Sequence, residues 1–296
     1  MRARTGLSDN ESVETLSIVV PAFNEASRLP NLFRALEDDV DLVGADAGFH
    51  VVDIIVVDDG STDRTPQILE AAKEDSPRFH VIRFDRNRGK GAAVRAGVRA
   101  ARGTHALVTD ADLSTPLSEL ARLANVLRSG HDVAIGSRGL PSSRIVVHQP
   151  VYRELMGKAF NVLLRRLTGL SYRDTQCGFK LFALGKTRVL FDLQRVEGFA
   201  FDAELCVNVN RLGLRLAEVP VTWVDNRESK VRLLGSSGRM ALDLLLIAWR
   251  ARRPLERAGV ASARVENVYG EREAVTTPTR QVPTLEKDAQ PDSRGD

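Results

Sequence analysis

Short apolar runs alternate with longer stretches of helical spacing through the first half of this chain. Leu16 to Val20 reads as a strand closed by Pro21, and Leu29 to Val43 is apolar at the spacing of a helix. Val51 to Val57 is a continuous Val/Ile run, too apolar for an exposed edge strand. Further strands are expected over Phe79 to Phe84, His105 to Thr109 and Asp132 to Gly136. Between them lie three predicted helices. One is capped by Asp63 and runs to about Asp75, one covers Gly91 to Ala101, and one is opened by Pro116 and ends near Ser129-Gly130. Repeated strand–helix units imply an α/β fold with a mostly parallel central sheet flanked by helices on both faces. Ligands of such sheets bind beyond the carboxyl ends of the strands, and most polar signatures of this chain fall there.

The second half is less regular. Ile145 to Leu170 predicts a long helix, Asp174 to Leu184 and Glu218 to Val224 predict strands or edge elements, and Leu205 to Leu212 predicts a helix. A last helix is expected over Gly238 to Arg253. Met240 to Trp249 within it is apolar apart from Asp243, and Arg250, Arg252 and Arg253 follow. Two roles fit that segment: a core helix packed on the sheet, or a helix lying on an anionic membrane surface. The expected organisation is a flexible N-terminus at 1–14, one domain at 15–254, and a disordered polar tail at 255–296.

Composition narrows the function classes. A hydrophobic fraction of 43% supports a sizeable core, and 27% charged residues fit a soluble chain. The formal net charge is only +3, and no aromatic stacking platform is evident, so nucleic acid is not an expected partner. Cys177 and Cys206 make neither a disulfide framework nor a metal site, which fits a reducing compartment. No apolar run approaches the ~20 residues of a membrane span, so the chain is expected to be cytoplasmic and at most peripheral at the inner face of a membrane. A homo-oligomer is compatible with all of this.

The chemistry concentrates in six places. Asp110-Ala111-Asp112 ends the fourth strand, and two hard oxygen ligands there suit a divalent cation that holds phosphate. Asp112 is the expected direct metal ligand, with Asp110 on the ion or on sugar. Asp58 and Asp59 end the second strand beside it, and four carboxylates at one sheet edge call for a cation. Asn24 and Glu25, after Pro21-Ala22, fit either a helix cap or the wall of a nucleotide pocket. Asn87-Arg88-Gly89-Lys90-Gly91 is not a P-loop, and Lys90 reads as a point charge for a diphosphate or as part of a Gly-rich helix start. Arg138 ends the fifth strand, with Arg144, Arg153 and Lys158 following, and an arginine fork there suits a second phosphate. Phe199 and Phe201 read as core, alternating with Asp202 and Glu204, which can face a cavity.

Together these motifs resemble the inverting family 2 glycosyltransferases of GT-A fold, the nucleotide-diphospho-sugar transferase fold. The resemblance runs from about Leu16 to Trp249. The run Asp174-Thr175-Gln176-Cys177-Gly178-Phe179-Lys180, with Gly198-Phe199-Ala200-Phe201-Asp202-Ala203-Glu204, narrows it to the polyprenyl-phosphate glycosyltransferases, most like the dolichyl-phosphate β-glucosyltransferase group. The resemblance implies a UDP-glucose donor, a Mg²⁺ or Mn²⁺ cofactor and a polyprenyl phosphate acceptor, dolichyl or undecaprenyl-type. GDP-mannose-dependent mannosyl transfer, or another sugar or acceptor, is the alternative. It also implies that Pro21, Ala22, Asn24, Glu25, Asp58, Asp59 and Lys90 line the nucleotide site. Asp110, Ala111 and Asp112 would be the metal and sugar-nucleotide motif, and Arg138 and Arg153 would grip the lipid phosphate. Lys180 would approach either phosphate, and Asp202 with Glu204 would lie near the sugar, Asp202 as base or sugar ligand. Eukaryotic members carry a membrane-spanning segment at one end that is not seen in this sequence.

Overall fold

The computed structural model describes residues 13–147, 151–224 and 233–253, without the side chains of residues 38, 75, 151–155, 158 and 233–237. Residues 1–12 of the expected flexible N-terminus, and the whole of the expected tail at 255–296, lie outside the described residues.

Four strands run parallel in the order β3-β2-β1-β4: β1 (Thr15–Ala22), β2 (His50–Asp58), β3 (Phe79–Arg83) and β4 (His105–Val108). Alternation along these apolar runs feeds two cores, as expected for strands covered on both faces. Ile18, Val20, Ile54, Val56 and Leu107 point into one, with α1 (Leu29–Asp38), α2 (Val40–Asp46), α3 (Thr65–Asp75) and α5 (Leu120–Arg128) over it. Val19, Ile55, Val57, Ala106 and Val108 point into the other, under α4 (Lys90–Ala100), α7 (Leu184–Leu193), α8 (Phe201–Arg211) and α9 (Leu233–Ala251).

The sheet continues in an order that chain order alone does not give. β5 (Val133–Ser137) does not pair with β4. Instead β7 (Lys180–Ala183) lies between them, antiparallel to both, and β8 (Leu216–Pro220) pairs parallel with β5. The full seven-stranded order is β3-β2-β1-β4-β7-β5-β8. Because β7 runs backwards, its first residue, Lys180, pairs with both Val108 of β4 and Ile135 of β5. The segment leading into β7 is thereby delivered to the carboxyl edge, where the other strands end.

Several elements differ from the sequence expectation. The single helix over Leu29 to Val43 is two helices that break at Asp39. Asp39 is the N-cap residue of α2 and Asp41 stands in its first turn, and the N-terminus of a new helix favours negative charge there. The long helix over Ile145 to Leu170 is a strand, β6 (Arg144–Val147), followed by α6 (Val151–Thr168), and the β-branched run Ile145-Val146-Val147 explains the strand. Only Lys180–Ala183 of the expected Asp174 strand is extended in the sheet. The Glu218 to Val224 strand divides at Val221 into β8 and β9 (Thr222–Val224), and β9 leaves the main sheet to pair with β6. The helix after Pro116 starts with a 3₁₀ turn, Leu117–Glu119.

Candidate active site

The turn after β1 is stapled to the turn after β2. Asn24 adopts φ 56°, in the left-handed region that asparagine tolerates better than most residues. Its N–H donates to Ser61 Oγ at 2.8 Å, and its side-chain oxygen accepts the N–H groups of Thr62 at 2.8 Å and Asp63 at 3.2 Å. Glu25 donates its N–H to Thr65 Oγ1 at 2.8 Å, and its carboxylate pairs with Arg28 at 3.0 Å. Pro21 is half-buried and Ala22 buried, and the Ala22 carbonyl accepts the Asp59 N–H at 2.8 Å. Asp63 accepts the Thr65 N–H at 2.9 Å, a first-turn bond of α3.

Asp58 and Asp59 divide their work. Asp58 is fully buried; one oxygen accepts the Ser61 N–H at 2.9 Å, and the other lies 3.3 Å from Arg83 Nε and has no hydrogen bond among the described residues. Asp59 accepts the N–H groups of Arg88 at 2.7 Å and Gly89 at 2.8 Å, so it clamps the turn that leads into Lys90. Burial raises its pKa, and the Asp58 charge adds to the rise against those two bonds. Gly89 closes the turn at φ 113°, with its α-carbon so near the Glu197 carbonyl that a side chain does not fit.

At the end of β4 the charges alternate. Lys90 Nζ lies 2.6 Å from Asp110 Oδ1, and Lys180 Nζ lies 2.6 Å from Asp202 Oδ1 while also donating to the Cys177 carbonyl. Burial alone would raise the Asp110 pKa, but Lys90, Lys180 and Arg138 outweigh it and hold the carboxyl below the usual range. At Asp202 burial wins over Lys180 and Lys90, and its pKa is raised. Burial opposes the charge on Lys90, yet Asp110 and Asp202 keep its pKa above that of an ordinary lysine. Asp202 stands in the first turn of α8, where the helix dipole favours a carboxylate. A Cβ at Gly178 would collide with the Asp110 carboxylate, so glycine is what lets these two segments meet.

Ala111 is buried in the core, and Asp112 beside it is half-buried. Asp112 Oδ1 accepts the Ser114 N–H at 3.0 Å, and its other oxygen has no partner among the described residues. Leu113 follows at φ 49°, an uncommon conformation for a bulky residue that places backbone strain directly beside the carboxylate pair.

Arg138 extends from the end of β5 into a bidentate pair with Asp174, at 2.6 and 3.0 Å, and its guanidinium lies 5.4 Å from the centre of the Trp223 ring. Glu218 braces this arrangement. It accepts the N–H groups of Arg173 and Asp174 and the Ser137 hydroxyl, each at 2.8 Å. Nothing local in the sequence marks Glu218 for that task. Asp174 was visible as part of a motif, but its partner was not, because the two residues meet only through the reversed β7.

Lys90, Asp110, Asp112, Arg138, Lys180 and Asp202 thus gather at one place. Glu204 faces elsewhere: it accepts the N–H groups of Arg195 at 2.9 Å and Val196 at 2.7 Å and lies 3.5 Å from Arg250 of α9. Arg153 stands on the first turns of α6, and its side chain lies outside the described residues, as does that of Lys158. Among the described residues no three His, Cys, Asp or Glu side chains are arranged to enclose a metal ion. Asp110 and Asp112 are of the chemistry that would hold an ion through one or two carboxylates, with phosphate oxygens completing its shell.

The sequence signature described as "Glycosyl transferase family 2" matches residues 17–189, more than half of the chain. The chain belongs to glycosyl transferase family 2. The match spans every motif from β1 to β7 and ends before Asp202 and Glu204. Curated relatives extend further. The dolichyl-phosphate beta-glucosyltransferase of Dictyostelium discoideum is 32% identical over 246 residues, covering 79% of this chain and 74% of its own length. The Saccharomyces cerevisiae protein of the same name is 33% identical over 265 residues, with 83% and 78% covered, and the Homo sapiens one is 34% identical over 244, with 79% and 75% covered. Among solved structures, glucosyl-3-phosphoglycerate synthase from Mycobacterium tuberculosis in complex with UDP matches at a TM-score of 0.57 and 22% identity, covering 80% of each chain. A second structure of that synthase, with Mn²⁺, UDP and glucosyl-3-phosphoglycerate, matches equally well at 0.57, with 22% identity and 79% of this chain and 80% of that one covered. This family 2 glycosyltransferase therefore has the GT-A fold that its motifs imply.

Proposed function

We propose that this glycosyltransferase moves glucose from UDP-glucose to a polyprenyl phosphate, dolichyl or undecaprenyl-type, with inversion, giving polyprenyl phosphate β-glucose and UDP. The observation that carries the proposal is the meeting of Asp110 and Asp112 with three cationic side chains, Lys90, Lys180 and Arg138, at one sheet edge. An acidic seat suits a metal-bound donor diphosphate, and a basic wall beside it suits a second phosphorylated substrate. The names of the relatives, dolichyl-phosphate beta-glucosyltransferases at 32–34% identity, support the choice of sugar and acceptor.

The residues divide the work as follows. Asn24, Glu25 and Asp58 shape the nucleoside end, and Asp59 holds the Arg88-Gly89 turn that presents Lys90 to the diphosphate. Asp112, with Asp110, would hold Mg²⁺ or Mn²⁺, and a bound ion of that kind stabilises negative charge on a departing UDP. Arg138 orients the acceptor phosphate with whatever donors Asp174 leaves unused, and Arg153 is the proposed second arginine on that phosphate. A phosphate monoester has its second pKa near ~6 and is ionised near neutrality, so it attacks without a strong general base. What the site must supply is alignment and relief from repulsion between two anions. Asp202 accordingly serves to position Lys180 and a sugar hydroxyl, and Glu204 to fix the 195–196 backbone behind them.

The donor panel tests this function. Labelled UDP-glucose, UDP-GlcNAc and GDP-mannose are each incubated with a polyprenyl phosphate and Mn²⁺. Organic-phase label is expected from UDP-glucose; label from GDP-mannose alone would replace glucosyl with mannosyl transfer.

Access to a lipid acceptor is the task proposed for α9. Leu242, Leu245, Leu246 and Trp249 recur at helical spacing and are exposed, while Leu244, Ile247 and Ala248 on the opposite side are buried. Arg253 stacks on Trp249 with its guanidinium 3.5 Å from the ring centre, and Met156 and Leu163 on α6 are exposed as well. Among the described residues no helix is long and apolar enough to cross a membrane. The stripe is proposed to rest on the inner face of an anionic membrane, with the catalytic edge in the cytoplasm. Sedimentation with anionic vesicles is expected for the intact chain and should be lost when Leu245, Leu246 and Trp249 are changed to Glu. Equal sedimentation of that variant would remove α9 from the membrane.

A further inference from the structure

The Lys90–Asp110 pair has a consequence for how the site loads. Lys90 Nζ lies 2.6 Å from Asp110 Oδ1, and its side chain is only 18% exposed. It is held there from behind, since Asp59 fixes the N–H groups of the two preceding residues. A divalent ion on the same oxygen needs an approach of about 2.0–2.1 Å for Mg²⁺, and two cations that close repel strongly inside a protein. The chain's own ammonium group therefore occupies Asp110 Oδ1, where an ion on that oxygen would stand.

Charge balance points the same way. Asp110, Asp112 and Asp202 act on Lys90, and Lys180 pairs with Asp202, so three carboxylates face two ammonium groups. Arg138 is matched by Asp174 and drops out of the count. The site keeps one unmatched negative charge. A divalent ion alone would reverse it, and a doubly anionic nucleotide sugar alone would deepen it. The two together leave it unchanged.

We propose that Lys90 is a resident counter-ion that keeps the divalent ion off Asp110 until the nucleotide sugar arrives, so that metal and donor load as one unit. When the donor enters, the Lys90 ammonium passes from Asp110 to the donor diphosphate, and Asp110 is released toward the ion. Lys90 is in this sense a positioning residue for the metal. The inference rests on the sugar-nucleotide function proposed above. An ion pair that merely stabilised the fold would influence melting but would not set the order in which metal and nucleotide bind.

The experiment uses the full chain with Mn²⁺ and UDP as probes. Mn²⁺ alone is expected to leave the wild-type unfolding midpoint unchanged, while Mn²⁺ with UDP raises it. Lys90→Gln keeps a hydrogen-bond donor for Asp110 and removes the charge. In the absence of UDP, its Mn²⁺ affinity, followed by the electron paramagnetic resonance signal of the free ion, is expected to be at least about tenfold tighter than wild type. Its midpoint should rise with Mn²⁺ alone. Equal Mn²⁺ affinity of Lys90→Gln and wild type would overturn the inference and leave the proposed function standing. If Lys90→Gln does not fold, wild type decides: a midpoint raised as much by Mn²⁺ alone as by Mn²⁺ with UDP also overturns it. No midpoint rise in wild type with both present would instead count against the sugar-nucleotide function, and the inference would fall with it.

Discussion

Changing Asp112 to Asn is expected to reduce glucose transfer by roughly 1,000-fold, about 4 kcal/mol of lost transition-state stabilisation. The expectation rests on what Asp112 does and does not touch. One oxygen accepts the Ser114 N–H at 3.0 Å, and the other has no partner among the described residues. Asp110, by contrast, is already paired with Lys90 at 2.6 Å. That second oxygen of Asp112 is the one that would hold a divalent ion beside the donor diphosphate. Asn keeps the shape and one hydrogen-bond acceptor, so the fold should survive. Steady-state transfer, together with a melting curve on the same sample, checks this. Turnover within a few-fold of wild type in a folded Asp112→Asn protein would remove Asp112 from the metal.

The second large effect concerns Arg138. Its guanidinium joins Asp174 at 2.6 Å, and the carboxylate side chain is 5% exposed against 27% for the arginine. Removing one partner of a buried pair leaves the other uncompensated, so Arg138→Ala should lose about 2–4 kcal/mol of stability, less than for a fully buried pair because the arginine still meets solvent. Arg138→Lys keeps the charge and gives up the planar fork. In that variant the acceptor KM is expected to rise about tenfold while the UDP-glucose KM stays within about twofold. The opposite split would move Arg138 to the donor.

The same pair sets a pH dependence. Burial raises the Asp174 pKa, but Arg138 overcomes it and holds the carboxyl below its ordinary value of 3.8. As the pH falls through 3.8 the unfolded chain takes up the proton first, so the stabilisation is present above that value and is lost as the pH falls through the folded pKa. Asp174→Asn should be less stable near neutrality yet show a shallower acid limb in denaturation between pH 7 and about pH 2. An acid limb as steep as wild type would show that other carboxylates carry it.

The strand ends were legible in the sequence because their signals are local. An apolar run that stops at Asp58-Asp59, or just before Asp110-x-Asp112, states by itself where the strand ends and what stands there. The place of β7 was not legible. Its pairing with β4 and β5 depends on residues far apart in sequence, and only that reversal brings Lys180 and Asp174 to the edge where Asp110 and Arg138 stand. The partnerships were hidden for the same reason. Asp59 is marked by its motif as a site residue, yet both its oxygens hold the backbone of the Lys90 turn. Glu204 reads as a neighbour of Asp202, yet residues two apart on a helix face different ways, and it turns to the backbone of Arg195 and Val196. Asp39 ended a helix that apolar spacing alone would have carried on to Val43.

If this edge holds two phosphorylated substrates, a sugar passes between them with inversion. The anomeric configuration of the product tests it most directly. UDP-[1-¹³C]glucose is incubated with a short polyprenyl phosphate and Mn²⁺, the lipid product is extracted, and the one-bond C1–H1 coupling is read by NMR. A β-glucosyl phosphate is expected, formed only when the polyprenyl phosphate is present. An α-linked product, or label that stays in the aqueous phase with the acceptor at saturation, would contradict it.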